Sequence, residues 1–139
     1  MNRTKTGFEN LVVYQLAVEL SDIAWDLVKR WPRFERQTMG RQLVRSVDSI
    51  GANLAEGAGR GSEADNRRFI YIARGSLYET KYWIHRCHHR GLLRSEDVDA
   101  LKPLMEKLPP MLNAYLRSVG WRKRSLLSNQ QPTTGDPRN

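Results

Sequence analysis

The positions of proline and glycine constrain the fold of this chain more than any other feature of its sequence. Between them, apolar residues recur with helical spacing, and no segment of useful length alternates as a strand would. This pattern predicts four helices, over residues 10–30, 38–56, 62–90 and 95–119. Because short connections join helices of similar length, we predict an all-α fold, an antiparallel up-down four-helix bundle.

The ends of the predicted helices carry local signals. Gly91 closes the third helix, and Ser62 with Asp65 has the spacing of a capping box at its start. Ser95 is the predicted N-cap of the fourth helix. Three prolines lie inside that helix, so we predict that it is kinked or broken near Pro109.

Length and composition favour a single globular domain. The chain has 139 residues, of which 40% are hydrophobic and 27% charged. We divide it into an N-terminal arm (residues 1–9), the bundle (residues 10–120) and a basic segment with a predicted disordered tail (residues 121–139). With Cys87 as its one cysteine and no apolar run of about 20 residues, the chain is predicted to be cytoplasmic and without a membrane contact.

The third predicted helix divides into two faces at about 100° per residue. We predict a core face made of Phe69, Ile72, Ala73, Ser76, Thr80, Trp83 and Cys87. The opposite, solvent face carries cations and aromatic rings: Arg67, Tyr71, Arg74, Tyr78, Lys81, His85 and His88. In the second helix an apolar seam, Leu43, Val47, Ile50 and Leu54, lies beside a small polar stripe, Ser46, Ser49, Asn53 and Glu56.

The first helix carries more apolar surface than one side of a bundle requires. Leu11, Tyr14, Val18 and Trp25 widen its apolar face sideways. Since aromatic residues are enriched at subunit interfaces, we predict that these four residues form an oligomer interface. The alternative is a monomeric bundle whose first helix is well covered internally.

Six further residues are predicted to have structural polar roles: Arg45, Asn53, Glu56, Gly75, Ser76 and Glu79. A glycine in mid-helix costs about 1 kcal/mol relative to alanine, so Gly75 predicts a close approach by the polar stripe of the second helix. We expect the two carboxylates to form ion pairs with Arg45 or Arg41 and to have no catalytic role.

Several motifs resemble those of a known family. The segments are residues 42–45 (QLVR), 49–57 (SIGANLAEG) and 69–79 (FIYIARGSLYE), with residues 8–11 (FENL) as an opening. They resemble the four-helix-bundle proteins encoded in intervening sequences of large-subunit ribosomal RNA genes. The resemblance covers residues 8–119 and implies an up-down bundle, often a homopentamer, with suspected RNA or ribosome-related binding. A more distant similarity, to the accessory protein of diversity-generating retroelements, implies a basic pentameric barrel that binds a reverse transcriptase and nucleic acid.

Charge gives the main functional indication. Lysine and arginine total 23 against 15 acidic residues, a formal net charge of +8, and the excess lies after residue 65. Such a surface attracts polyanions, and tyrosines beside cations can stack on exposed bases. Arg122, Lys123 and Arg124 would add a second contact zone. An ordinary solvated helix face with a basic tail is the alternative interpretation.

We therefore predict a non-enzymatic homo-oligomer that binds nucleic acid, RNA rather than DNA, or a ribonucleoprotein. The alternative is a scaffold that binds a protein partner without touching nucleic acid. His85, Cys87, His88 and His89 do not face one way on a helix, and the sequence has no other histidine or cysteine. We accordingly predict no metal site and no cofactor.

Overall fold

The computed structural model describes residues 7–8 and 11–120, and within them the secondary structure is entirely helical. Four long helices dominate: α1 (Val12–Val28), α3 (Arg41–Ala58), α4 (Glu63–His89) and α5 (Ser95–Ser118). Between α1 and α3 lies a single turn, α2 (Arg33–Glu35), that continues into a π-helical turn at Arg36–Gly40. The all-α prediction is confirmed.

Neighbouring helices pair in opposite directions. Ser21 of α1 donates a hydrogen bond to the carbonyl oxygen of Val47 in α3. One and two turns earlier in α1, Val18 and Tyr14 lie next to Gly51 of α3. Residue numbers thus fall in one helix as they rise in the other. Contacts between α3 and α4, and between α4 and α5, follow the same rule.

The core is a single apolar cluster along the bundle axis. Its largest fully buried side chains come from every long helix: Leu20, Leu43, Ile50, Leu54, Ile70, Leu101, Leu108 and Leu112. The predicted seam of the second helix is confirmed, because all four of its members are fully buried in α3. Burying side chains of this size contributes about 1.5–3 kcal/mol each.

Two of three predicted helix ends are confirmed. The Ser62 hydroxyl accepts a hydrogen bond from the backbone N–H of Asp65 at 3.1 Å, and Gly91 closes α4 with φ +75°. Ser95, however, is the first helical residue of α5, and Arg94 is its N-cap. The Asp97 carboxylate accepts from the Arg94 backbone N–H at 2.9 Å, so an acid in the first turn caps this helix.

Helix α5 continues through its three prolines, so the predicted break near Pro109 is not found; a kink there stays a prediction. A proline in a helix leaves the carbonyl four residues earlier without its partner. For Pro103 and Pro110 those carbonyls belong to Asp99 and Glu106, two exposed residues that water can reach. The buried leucines of the opposite face then hold the helix to the core.

The predicted core face of α4 is confirmed at Ala73, Thr80 and Cys87, but its other four members are not buried. The buried seam runs through Ile70, Ala73, Leu77, Thr80, Ile84 and Cys87, of which only Ile84 is partly exposed. Ile72 is 41% exposed, and Phe69, Ser76 and Trp83 are half-buried. Apolar residues of α4 occur on several sides of the helix, so its own periodicity does not determine which side is buried. The buried side is set by the positions of α3 and α5.

The predicted close approach at Gly75 is also wrong, because a Cβ atom added there would meet nothing within 4 Å. The helices approach instead at Gly57 of α3, where a Cβ would lie 2.8 Å from the Cβ of Phe69 and 2.7 Å from Oδ1 of Asn66. Ser76 next to Gly75 is half-buried, and its carbonyl accepts from Thr80.

The predicted ion pairs of Glu56 and Glu79 are wrong as well. Glu56 pairs with Arg60 one turn along the helix at 2.8 Å, and Glu79 accepts a hydrogen bond from Nε1 of Trp83 at 3.2 Å. Both carboxylates are exposed, so neither needs a buried partner. Arg45 makes no ion pair within the described part of the chain. Asn53 is half-buried and donates to the carbonyl of Ser49 at 2.7 Å.

Candidate nucleic-acid interface

The N-terminal part of the predicted cationic face of α4, called its lower half here, comprises Arg67, Tyr71 and Arg74. Its arginines bond within the bundle. The Arg67 guanidinium donates from Nη1 to the carbonyl oxygens of Leu116 at 2.6 Å and Val119 at 2.9 Å. These carbonyls belong to the last turn of α5, where no helical N–H is available to them. Arg67 is therefore half-buried and caps α5, instead of facing solvent as predicted.

Arg74, two helical turns further along α4, is placed similarly. Its guanidinium donates to Oδ1 of Asn113 in α5 at 3.2 Å and lies 5.5 Å from the ring centre of Tyr71. Tyr71 itself remains 49% exposed. Of the predicted face, this half offers solvent an aromatic ring, but its two arginines already have acceptors in the same chain.

The C-terminal part of that face, its upper half, is exposed to solvent. Tyr78, Lys81, His85 and His88 are exposed and form no hydrogen bond or ion pair with the described residues. Tyr82, which the sequence did not single out, is exposed beside them and packs edge-to-face against Trp83. Cations and rings are thus interleaved here as the sequence indicates.

Helices α4 and α5 diverge next to this upper half and leave a groove of about 440 Å³. Its floor is apolar, and its rim carries four cationic or titratable side chains and one acid. The floor residues are Ile84, Leu93, Val98, Leu101 and Met105, and the rim residues are Lys81, His85, His88, Lys102 and Glu106.

The three histidines and the cysteine do not meet. Cys87 is fully buried in the core while His85, His88 and His89 face outward, and the described residues contain no group of three potential metal ligands. Burial raises the pKa of the Cys87 thiol to about 11, although the positive charge of Arg90 opposes that rise. A thiol held protonated in this way is a poor nucleophile and a poor ligand.

One end of the bundle carries most of the uncompensated charge. This basic end comprises residues 29–41, with five cationic side chains against one acid, and residues 86–94, with three cationic side chains and no acid. Three of the cations are paired: Lys29 with Asp26, and Arg30 and Arg94 with Asp97. The other five form no ion pair with any residue that the structure describes: Arg33, Arg36, Arg41, Arg86 and Arg90.

An aromatic ring projects from the basic end. Phe34 of α2 is 73% exposed, more than any other large apolar side chain in the described chain. It forms one wall of a cavity of about 370 Å³ that Thr38, Met39 and Arg90 also line. Sequence reasoning missed this residue and its neighbours Arg33 and Arg36, because the stretch after Pro32 falls between two predicted helices.

The opposite end is electrically balanced. This neutral end comprises residues 56–68, which carry three cationic and three acidic side chains. Arg60 pairs with Glu56 at 2.8 Å, and Arg68 lies 4.0 Å from the Asp65 carboxylate. Their guanidinium groups also lie 5.0 and 4.7 Å from the ring centre of Phe69. Each cation of this connection therefore has a partner in the protein.

The predicted oligomer-interface residues of α1 differ in exposure. Leu11 and Tyr14 are half-buried against the core, and Tyr14 packs edge-to-face against Phe8 with ring centres 5.0 Å apart. Val18 is half-buried near Gly51 of α3. Trp25 is 59% exposed. Internal packing accounts for Leu11 and Tyr14, while the role of these residues in an oligomer stays a prediction. Arg122, Lys123 and Arg124 lie outside the described residues, as does the predicted tail.

Comparison with known proteins assigns the chain to a family. The model of the 23S rRNA-intervening sequence protein family matches residues 9–114. The chain belongs to this family. The matched region contains all of α1, α3 and α4 and most of α5, and it includes the basic end with Phe34. No curated protein matches the chain in sequence. The more distant similarity to the retroelement accessory protein stays a prediction.

A solved structure supports the same fold for this family member. The crystal structure of a protein of unknown function from the S23 ribosomal protein family of Bacteroides thetaiotaomicron VPI-5482 matches with a TM-score of 0.70 at 24% identity. The match covers 77% of this chain and 96% of that chain. Among the helices that the structure describes, none is long and apolar enough to cross a membrane.

Proposed function

We propose that this protein is a non-enzymatic, self-associating helical bundle that binds RNA through the basic end and the adjoining upper half of α4. One observation carries the proposal: five arginines at the basic end have no carboxylate partner in the described chain. Cations that the protein does not neutralise are available to phosphates, and each phosphate contact releases condensed counterions.

Two further observations support this assignment. Lys81 extends the cationic surface along α4 from the basic end, and the side chains of Tyr78, His85 and His88 are exposed beside it. The family is named after intervening sequences of 23S rRNA, which is the reason for proposing RNA over DNA. Arg67 and Arg74 are left out of the proposed surface, because their guanidinium groups bond to α5.

Matched charge variants test the proposal. Arg33→Ala, Arg36→Ala and Arg41→Ala in one chain remove three unpaired cations from the basic end. The control combines Arg60→Ala, Arg68→Ala and Arg117→Ala, which lose the same charge from exposed residues near the neutral end. Affinity for single-stranded RNA is measured by fluorescence anisotropy over a range of salt concentrations, and circular dichroism checks that both variants fold.

We expect the basic-end variant to bind about tenfold or more weakly at low salt, and its salt slope to fall by about 0.7 for each phosphate that is no longer neutralised. The control should retain most of the affinity, because net charge alone changes in it. Equal weakening of both variants would assign binding to unspecific charge. Absence of RNA binding by the unaltered protein at low salt would refute the proposal.

Self-association is a separate part of the proposal. Exposed rings on α4 and the exposed Trp25 on α1 are surfaces that a second copy could cover, as aromatic residues are enriched at interfaces. Light scattering should give a mass several times 16.1 kDa, and the resemblance to the family favours five copies. A monomer at micromolar concentration contradicts this part.

The alternative function is a scaffold for a protein partner. The groove between α4 and α5 favours it, since an apolar floor with a cationic rim suits an acidic, amphipathic segment. The substitutions Val98→Asp and Met105→Asp would close this groove to apolar side chains while leaving the basic end intact. The scaffold function is favoured if the unaltered protein binds no RNA, and if a protein that co-purifies with it no longer co-purifies with this variant.

A further inference from the structure

The most exposed apolar ring of the described chain lies where unpaired cations are most concentrated. Single exposed apolar residues are common on protein surfaces, so the 73% exposure of Phe34 is not informative by itself. Its surroundings are informative. Arg33 precedes it directly and Arg36 follows two residues later. Arg90 lines the same cavity, and its Nη1 donates to Sδ of Met39 at 2.9 Å.

The backbone holds this ring in a defined place. Trp31 and Met39 on either side are buried in the core, and the Arg36 N–H donates to the carbonyl of Pro32 at 2.9 Å. The Thr38 hydroxyl donates to the carbonyl of Phe34 at 2.7 Å. A π-helical turn follows at once, and such turns are frequent at functional sites. The ring is therefore presented by a short anchored helix.

The ring of Phe34 lacks the guanidinium covering that Phe69 and Tyr71 have. Phe69 has the guanidinium groups of Arg60 and Arg68 over it, and Tyr71 has that of Arg74. No described guanidinium lies over Phe34, although arginines surround it in sequence. The cavity beside the ring adds the Thr38 hydroxyl and the Glu35 carboxylate as hydrogen-bonding groups.

These features favour a nucleobase over an apolar protein surface. A protein partner that binds by apolar contact needs a contiguous patch, and the other exposed apolar residues in the described chain belong to α1 or α4. One bare ring among unpaired cations instead matches a base with its flanking phosphates. In a duplex the bases are stacked on each other, so the base must be unpaired.

We propose that Phe34 is a stacking platform for an unpaired base of single-stranded RNA, with Arg33 and Arg36 contacting the neighbouring phosphates. The inference rests on the proposed function and adds to it the strandedness of the RNA and the residue that recognises it. It separates two kinds of contact: arginines supply a salt-dependent attraction, and Phe34 supplies an attraction that requires a base.

Substitutions at Phe34 test this separation in the full chain. Phe34→Ala removes the ring, Phe34→Leu keeps an apolar side chain without a π face, and Phe34→Trp keeps a ring. Each variant is titrated with single-stranded oligouridine, with a fully paired RNA duplex and with inorganic polyphosphate, which is a polyanion without bases. Val12→Ala is the control, since Val12 is an apolar residue of α1 that is 55% exposed and belongs to neither the proposed RNA surface nor the predicted oligomer interface.

We expect Phe34→Ala and Phe34→Leu to weaken oligouridine binding about tenfold, in the range found for one stacked base. Phe34→Trp and Val12→Ala should bind oligouridine as the unaltered protein does. Binding of duplex and polyphosphate should not change in any of the variants, and the salt slope with oligouridine should be that of the unaltered protein.

Oligouridine binding by Phe34→Leu that equals that of the unaltered protein would overturn the inference, and so would an equal loss of polyphosphate binding in Phe34→Ala. In both cases RNA binding by the unaltered protein leaves the proposed function standing. Failure of the unaltered protein to bind any RNA refutes the proposed function first, so the two failures are distinguishable.

Discussion

Aromatic and arginine side chains have different surroundings at the two ends of the bundle. At the neutral end, Phe69 lies beneath two guanidinium groups, and Arg60 and Arg68 also face carboxylates. At the basic end, Phe34 is bare, and arginines before and after it have no carboxylate partner in the described chain. The neutral end gives every cation of residues 56–68 a partner, whereas the basic end leaves five of its eight cations without a carboxylate in the described chain.

This difference separates arginines that stabilise the fold from arginines that the fold does not need. Exposed arginines without partners contribute little to stability, since even exposed ion pairs contribute about 0–1 kcal/mol. A guanidinium that satisfies buried or terminal carbonyls contributes more, because its removal leaves those acceptors without a donor. Stability measurements should therefore distinguish the ends without any RNA present.

The largest effect is expected at Arg67. Arg67→Ala removes two charge-assisted hydrogen bonds from the last turn of α5 and should lower the free energy of unfolding by about 3 kcal/mol. Arg67→Lys should recover only part of that stability, since a strongly hydrated ammonium on a flexible stem replaces the preorganised planar guanidinium whose Nη1 bonds to both carbonyls. Urea denaturation followed by circular dichroism measures both changes.

Arg33→Ala is the matched control at the basic end, and its free energy of unfolding should lie within about 0.5 kcal/mol of that of the unaltered protein. Similar destabilisation at Arg67 and Arg33 would show that the two ends do not differ in this way. The same pair measured for RNA affinity should show the reverse order, with Arg33→Ala the weaker binder.

Glycine substitutions sharpen the comparison by showing what the ends share. A Cβ at Gly57 would lie 2.8 Å from the Cβ of Phe69, and one at Gly40 would lie 2.5 Å from Cγ1 of Val28. Both positions are closely packed, so Gly57→Ala and Gly40→Ala should each cost about 2 kcal/mol of stability. The ends thus differ in surface charge and agree in interior packing.

Gly75→Ala is the control for these two, because the added Cβ meets nothing within 4 Å. It should raise the free energy of unfolding by up to about 1 kcal/mol through helix propensity. If Gly75→Ala lowers stability in a protein that light scattering shows to be oligomeric, a neighbouring copy covers this position of α4.

Much of the scaffold was predictable because its signals are local. The N-cap at Ser62, the glycine that closes α4 and the apolar seam of α3 each depend on residues within a few positions of one another. Local patterns did not determine the phase of α4, where Ile70 is buried and Ile72 exposed. That choice depends on which sides α3 and α5 occupy, and the sequence of α4 alone does not contain it.

The candidate site was predicted only in part for a related reason. A helical wheel places Arg67 and Arg74 on the same face as Lys81, but long side chains reach sideways to acceptors on α5. The basic end is formed by two connections that are distant in sequence, residues 29–41 and 86–94. The one available signal was an aromatic residue, Phe34, between two arginines just after Pro32.

The smallest effect concerns Cys87, which reports on the interior next to the basic end. Burial raises the pKa of its thiol to about 11 from an ordinary value of 9.0, and the charge of Arg90 lowers it in part. Because the folded-state pKa lies above the unfolded one, the protonated thiol's contribution to stability is complete below about pH 9 and is lost as the pH rises toward 11.

Cys87→Ala isolates this contribution from the titration of tyrosines and lysines, which both proteins share. The stability of the unaltered protein relative to Cys87→Ala should fall by about 1 kcal/mol between roughly pH 8 and pH 10. A difference that stays constant over that range would mean that the thiol titrates normally, as it would if the charges of the basic end were strong enough at Cys87 to cancel the effect of burial. Arg90→Ala in the protein that retains Cys87 then separates the effect of burial from that of the Arg90 charge. Removing this charge should raise the thiol pKa further.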